Sequence, residues 1–245
     1  MTKQQNWFQS WFDTPYYHIL YKQRNYEEAQ RFIKNLITYL NINKNHTILD
    51  LACGKGRHSF YLNSLGFDVT GVDLSTQNIL EASKNKNTRL KFMIHDMRLP
   101  IESKYDVILN MFTSFGYFDS IDDNFKVLKT IKNSLNKEGF GVIDFMNSNY
   151  VINHLVPQNY VEINGLQFDI KRNFDDGIIT KTITVTDGGK TSKYEERVRA
   201  FSKQDFLDMI SKANLSFVDC FGNYDLEPYE EKTSDRLILI FKNNV

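Results

Sequence analysis

The stretch Ile48-Leu-Asp-Leu-Ala-Cys-Gly-Lys-Gly-Arg57 constrains this chain of 245 residues more than any other. His46–Leu51 reads as a short buried strand and residues 57–65 as a helix, so Gly54 and Gly56 fall in the tight turn between them. Glycines there let the backbone turn sharply and approach a ligand without a side-chain clash. The start of the following helix offers free N–H groups. Asp50 closes the strand. A second acid, Asp73, closes the next strand roughly 20 residues on, where an open α/β sheet places a carboxylate for ribose hydroxyls.

The surrounding pattern agrees with that placement. After Phe67–Val72, Ser75 is an N-cap for a further helix. Leu90–Ile94 and Tyr105–Met111 are short strands. Ile121, Phe125, Leu128, Ile131 and Leu135 mark a long helix that ends before Gly139, and Gly141–Phe145 is a fifth strand. Short apolar strands alternating with helices imply a largely parallel sheet covered on both faces. Between about 158 and 201 the period changes to two. Three alternating runs, centred on Phe168, Ile183 and Val198, are separated by Asp175-Asp-Gly177 and Asp187-Gly-Gly189. They read as an antiparallel insertion with one buried face. A helix near 203–214 and strands near 215–222 and 234–242 return the chain to the main sheet. Ahead of all this, residues 26–41 form an amphipathic helix. The aromatic segment Trp7–Tyr26 is split by Pro15 into two short helices.

The ligand in the crevice is narrowed by charge. Gly54-Lys-Gly56-Arg-His-Ser59 passes as a loose dinucleotide fingerprint, which keeps an NAD(P)-dependent oxidoreductase as an alternative. A carboxylate at Asp50 opposes that, because it repels a pyrophosphate and attracts an ammonium. S-adenosylmethionine carries an ammonium and a ribose and has no phosphate.

Ile48–Gly56 resembles the first motif of the class I S-adenosylmethionine-dependent methyltransferases, with Ala52 in place of the first of three alternating glycines. Val69-Thr-Gly-Val-Asp-Leu-Ser75 resembles the second motif, His95-Asp-Met97 the adenine motif, and Tyr105–Asn110 the motif on the fourth strand. The resemblance runs in order from about 46 to 145. It implies a Rossmann-like seven-stranded, mostly parallel sheet with helices on both faces and an antiparallel last strand at about 234–242, plus the inserted antiparallel β-sheet and the N-terminal helices. It implies a methyltransferase domain over 1–157 and 201–245, with a helical cover at 1–44 and the 158–200 insertion over the substrate side. It further implies that Asp50, Ala52, Gly54 and Gly56 surround the methionine and sugar, Asp50 near the ammonium through water or backbone. Asp73 would hold the ribose, Leu74 the adenine face, and Asp96 and Met97 the adenine edge. Asn110 and Met111 would face the sulfonium, and Tyr16, Tyr17 and Tyr21 would cover the cofactor. The product is then S-adenosylhomocysteine.

Methyl transfer from an activated sulfonium needs alignment, exclusion of water and, for some acceptors, removal of a proton. His18 and His154 are the candidate bases. His46 and His58 read as surface or helix residues, and His95 as structural. Arg24 is a candidate for the cofactor carboxylate or for a surface ion pair. The aromatic segment reads equally as plain core or as a lid. The charges at Lys171, Arg172, Glu195, Glu196, Arg197 and Arg199 read as a solvated face or an ion-pair ladder.

Lys and Arg total 30 against 30 Asp and Glu. That balance disfavours a general nucleic-acid binder. The fourth strand also lacks the Pro-Pro-aromatic ending of enzymes that methylate planar amino groups. A small-molecule acceptor is therefore expected. An RNA or protein methyltransferase and a non-catalytic cofactor-binding subunit remain as alternatives. Cys53 and Cys220 have no metal-site spacing. With no membrane span, the expectation is a cytoplasmic monomer or homodimer.

Overall fold

Successive residues along the strands of the main sheet alternate between two cores, the period-two signature of a sheet covered on both sides. The computed structural model describes residues 7–22 and 26–243. Residues 1–6 of the expected helical cover, and Arg24, lie outside the described residues.

The chain begins with two short helices, α1 (Trp7–Phe12) and α2 (Pro15–Leu20). Pro15 occupies the first turn of α2, and the Thr14 side chain caps it by accepting from the Tyr17 amide. Helix α3 (Tyr26–Tyr39) follows, and then the α/β alternation: β1 (Thr47–Leu51), α4 (Arg57–Ser64), β2 (Asp68–Asp73), α5 (Thr76–Ser83), β3 (Leu90–Ile94), β4 (Tyr105–Asn110), α6 (Ile121–Ser134) and β5 (Leu135–Met146). Ser75 caps α5, as its sequence position implied. After α7 (Ser148–Asn153) the chain leaves the main sheet for β6 (Gln158–Ile163), β7 (Leu166–Asp175), β8 (Ile178–Asp187) and β9 (Lys190–Arg199). It returns through α8 (Lys203–Lys212), β10 (Leu215–Phe221) and β11 (Arg236–Asn243).

The seven-stranded sheet has the spatial order β10-β11-β5-β4-β1-β2-β3. β1 to β5 are mutually parallel. β11 runs antiparallel to both of its neighbours. Leu49, Leu51, Ile108, Ile143 and Phe145 face one core, which is closed by α6 and α8 through residues such as Phe125, Leu128, Phe206 and Ile210. Ile48, Val107, Leu109 and Val142 face the other, against Phe32, Ile33 and Leu36 of α3 and Leu62 of α4. Side chains so enclosed supply most of the hydrophobic stabilisation.

The inserted sheet has four antiparallel strands, not the three alternating runs visible in the sequence. The additional strand is β6, at the sheet edge. Its residues alternate between exposed and half-buried, so no fully buried position announces it. Two-residue turns join the strands at Asn164-Gly165, Asp176-Gly177 and Gly188-Gly189, with positive φ at both residues of each. That is the twist-compatible geometry for a tight hairpin.

One face of this sheet does not meet the main sheet's cores. Leu166, Phe168, Ile170, Ile183 and Val185 enclose Trp11 of α1, with Tyr17, Leu20 and Tyr21 packed around them. Glu196, read from sequence as part of a solvated ladder, points inward instead. Its Oε1 accepts from Trp11 Nε1 and from the Tyr21 hydroxyl, both at 2.7 Å. Lys181 lies opposite it in register and 3.5 Å from its other oxygen. A carboxylate at that depth is acceptable because its oxygens have partners. Arg197 does lie on a ladder, with Asp119 and Glu195 at 3.6 and 3.9 Å.

Trp11 thus ties the N-terminal helices to the inserted sheet. Trp11→Ala is expected to lower the unfolding free energy by about 3–5 kcal/mol in a urea titration. An unchanged midpoint would mean that this junction contributes little.

Candidate active site

The strand order changes direction between β1 and β4, which opens a crevice at the carboxyl ends of the strands. A cavity of about 540 Å³ fills that crevice. Residues that end or follow four strands line it: Ala52, Cys53 and Gly54 after β1, Asp73 and Leu74 at β2, His95, Asp96 and Met97 after β3, and Met111, Phe112 and Ser114 after β4. The N-terminal segment contributes Phe8, Phe12, Tyr17, His18 and Tyr21. This volume suits a small organic ligand.

The turn after β1 is built from alternating left-handed residues: Ala52 at φ 64°, Gly54 at 56° and Gly56 at 79°. Ala52 adopts this conformation at a cost of about 1–2 kcal/mol that a glycine would avoid. The Cys53 amide donates to Val72 O at 2.9 Å, and the Gly56 amide to Cys53 O at 3.0 Å, so the turn is tied to β2 and to itself. A Cβ on Gly54 would meet nothing within 4 Å, while one on Gly56 would strike the Phe92 ring at 2.8 Å. Gly54 faces open space, and Gly56 is required by packing.

Asp73 is the organising acid. One carboxylate oxygen accepts from the Gly54 amide and the other from the Ser75 amide, both at 2.8 Å. Burial raises its pKa above the ordinary carboxylate value. These amide bonds oppose the rise, and Asp13 nearby adds to it. Asp13 also accepts the Ser75 hydroxyl, which brings the loop between α1 and α2 onto the start of α5.

Asp50 lies elsewhere. It is buried and does not line the cavity. Its side chain turns beneath the glycine turn toward α4, where the Ser59 hydroxyl donates to it at 2.6 Å. Burial pushes its carboxyl up to about 6 against the Ser59 bonds, and Asp73 pushes in the same direction.

Asp96 is bound by Arg98, with Nη2 2.6 Å from Oδ2 and Nε 3.0 Å from Oδ1. Burial alone would raise its carboxyl, but the Arg98 bonds outweigh that and hold it below the usual range.

Of the residues expected at the site, Ala52, Gly54, Asp73, Leu74, Asp96, Met97, Met111, Tyr17, Tyr21 and His18 line the cavity. Asp50, Gly56, Asn110, Tyr16 and His154 do not. Asn110 is fully buried and uses its side-chain amide to brace Leu51 O at 3.0 Å. Tyr16 sits one residue off the helix face shared by Tyr17 and Tyr21, and donates to Asp187 at 2.9 Å. His154 is exposed at the end of α7, with Nδ1 2.9 Å from Tyr150 O and its ring stacked on Tyr150. His18 is half-buried, and burial lowers its pKa, assisted by Lys55 and opposed by Asp13.

Three features are not apparent from sequence. His58, read as a surface or helix residue, is buried and lines the cavity, its ring stacked on Phe112 at 5.0 Å. Phe112 and Thr113 are both left-handed, at φ 56° and 58°. Asp144 holds that pair: its Oδ2 accepts from the Phe112 amide at 2.8 Å and its main-chain oxygen from the Thr113 amide at 2.9 Å. Asp144 is fully buried and paired with Arg236 at 2.5 Å. An acid inside the apolar run Gly141–Phe145 was the one signal that pointed to it.

Residues 48–139 match a family described as a methyltransferase domain. A glycine/sarcosine N-methyltransferase of Aphanothece halophytica is 29% identical over 143 residues, 55% of this chain and 51% of that protein. The enzyme of the same name from Halorhodospira halochloris is 33% identical over 113 residues, 44% of this chain and 42% of that protein. The chain therefore spans about half the length of the curated relatives it matches. An S-adenosylmethionine-dependent methyltransferase from Clostridium acetobutylicum superposes with a TM-score of 0.79 at 24% identity, covering 94% of this chain and 96% of that one.

The Asp50 carboxyl gives a pH test. Its folded pKa of about 6 lies above an unfolded value near 3.9. The folded state therefore binds this proton more tightly. The destabilisation is full above pH 6 and is relieved as pH falls toward 4. Asp50→Asn removes the titration. Its stability relative to the wild type is expected to fall by on the order of 3 kcal/mol between about pH 8 and pH 4. Paired urea titrations across that range would measure it, and a pH-independent difference would contradict the assignment.

Proposed function

We propose that this chain is a class I S-adenosylmethionine-dependent methyltransferase and that it transfers a methyl group from S-adenosylmethionine to a small-molecule acceptor bound in the cavity at the ends of β1 and β4. The observation that carries this reading is the pairing of a half-buried acid, Asp73, with an open glycine turn at the strand switch point. Two carboxylates in and under that turn disfavour a diphosphate. They favour a ligand with hydroxyls and positive charge, so the residues present fit the sulfonium nucleoside.

When bound, S-adenosylmethionine supplies a methyl group made electrophilic by the sulfonium. Asp73, held by two amides, is pre-set to accept ribose hydroxyls. Gly54 lets the main chain lie against the sugar and the methionine portion. Leu74 and Met97 offer apolar surface to the base, and Asp96 offers an acceptor to its edge. Phe8, Phe12, Tyr17 and Tyr21 exclude water from the reacting centre. His18 takes the proton from an acceptor that must lose one, because its lowered pKa leaves it neutral near pH 7.

The two relatives are named for methylating glycine and sarcosine, which supports a small acceptor over a nucleic acid. We propose a cytoplasmic enzyme acting as a monomer or homodimer; among the described residues no helix is long and apolar enough to cross a membrane. We divide the chain into a methyltransferase domain, 1–157 and 201–245, and a 158–200 insertion that supports the N-terminal cover over the site.

Asp73→Ala is expected to weaken S-adenosylhomocysteine binding by about 1–3 kcal/mol in calorimetry. Unchanged affinity would remove the ribose role. For an acceptor that loses a proton, the acid limb of kcat should fall below the ordinary histidine value of about 6.5. It should disappear in His18→Gln, and a limb that persists there assigns the base elsewhere.

A further inference from the structure

The turn after β4 is a strained part of the cavity wall. Met111, Phe112 and Ser114 line the cavity. Phe112 and Thr113, one bulky and one β-branched, both lie in the left-handed region, at φ 56° and 58°. Such side chains avoid this conformation, because the Cβ crowds the following carbonyl oxygen. Strain of this kind persists only where the surroundings over-determine it, and it collects at functional sites.

A buried ion pair holds the turn. Neither of its members, Asp144 and Arg236, lines the cavity. Asp144, near the carboxyl end of β5, is fully buried. Its Oδ2 accepts from the Phe112 amide at 2.8 Å and from the Tyr224 hydroxyl at 3.2 Å. Its main-chain oxygen accepts from the Thr113 amide at 2.9 Å. Its Oδ1 accepts from Nε and Nη2 of Arg236, at 2.8 and 2.5 Å. Nη2 also donates to Thr113 Oγ1 at 3.1 Å. Arg236 reaches this end of the sheet because β11 runs antiparallel to β5, so its first residue lies at the carboxyl end of that strand. The pair thus grips Phe112 by its amide and Thr113 by its amide and hydroxyl. A buried ion pair is a poor source of net stability. Here it fixes the geometry of one turn at the cavity wall.

The turn leads into Ser114, whose hydroxyl donates to Met111 O at 2.9 Å. With its proton committed there, Ser114 Oγ has lone pairs to offer a ligand. Lone pairs attract a sulfonium and its methyl hydrogens, which carry positive charge. The neutral thioether of S-adenosylhomocysteine lacks both.

Resting on the methyltransferase reading, we propose that Asp144 is a positioning residue: with Arg236 it clamps Phe112 and Thr113 left-handed and so sets Ser114 toward the sulfonium. The clamp governs how the protein ranks the donor before transfer against the donor after it. It leaves the ribose and adenine contacts alone.

Calorimetry on the full chain gives a Kd for S-adenosylmethionine and one for S-adenosylhomocysteine, and their ratio is the readout. Asp144→Asn should weaken S-adenosylmethionine by about tenfold more than S-adenosylhomocysteine. That variant also leaves Arg236 without its counter-charge, which by itself repels a sulfonium. Asp144→Asn/Thr113→Gly separates the two effects. Glycine takes the left-handed conformation without strain, so the ratio should return most of the way to the wild-type value. Thr113→Val keeps the ion pair and removes only the Arg236 bond to Oγ1. It should shift the ratio in the same direction by about threefold, and it carries the test where Asp144→Asn does not fold.

Two results would overturn the proposal. One is a ratio that stays at the wild-type value, whether both ligands weaken equally or neither does, which leaves the pair a structural role only. The other is a selective loss in Asp144→Asn that glycine at position 113 does not relieve, which assigns the effect to the charge of Arg236. A wild-type protein that binds neither ligand overturns the methyltransferase reading, and this inference with it.

Discussion

The bonds from the Gly54 and Ser75 amides to the Asp73 carboxylate set the rest of the site. They join the end of β2 to the turn after β1 and to the start of α5, so three elements meet at one half-buried charge. A second carboxylate, Asp50, is buried under the same turn. Burial raises the pKa of both acids, with Asp73 adding to the rise at Asp50 and Asp13 to the rise at Asp73. A fold keeps such an arrangement where ligand chemistry needs it. A sulfonium nucleoside offers hydroxyls to Asp73, the acid that lines the cavity, and positive charge to the field of both. A dinucleotide offers the hydroxyls as well, but it brings a diphosphate whose negative charge both carboxylates oppose.

The inserted sheet acts on this site through the N-terminal helices. Glu196 binds Trp11 and Tyr21 together, and Tyr21 lines the cavity. At the other side, Asp13 takes the Ser75 hydroxyl next to Asp73. The aromatic segment is thereby fastened both to the insertion and to the second motif. Trp11 on α1 is fully buried core, while Tyr17 and His18 on α2 line the cavity.

Much of this was legible in the sequence, and the limits have physical causes. The glycine turn, Asp73, the N-cap at Ser75 and the strand alternation are local signals, and local backbone chemistry decides them. The antiparallel final strand came from family resemblance. Asp50 was placed at the ligand because strand position alone does not say which way a terminal side chain turns; the Ser59 hydroxyl on α4 decides it. Tyr16 and Tyr17 are indistinguishable until the helix phase is known. His58 and Asp144 escaped because their roles depend on partners far along the chain, at Phe112 and Arg236. The edge strand β6 escaped because its burial is partial along its whole length.

The central claim is that the crevice is electrostatically selective for a nucleoside that carries an ammonium over one that carries a diphosphate. Calorimetric titration of the wild-type protein with S-adenosylhomocysteine and, separately, with NADH tests it most directly. Saturable binding of S-adenosylhomocysteine at one site per chain, with no heat from NADH, is the predicted result. Tight NADH binding with none of S-adenosylhomocysteine would contradict the account.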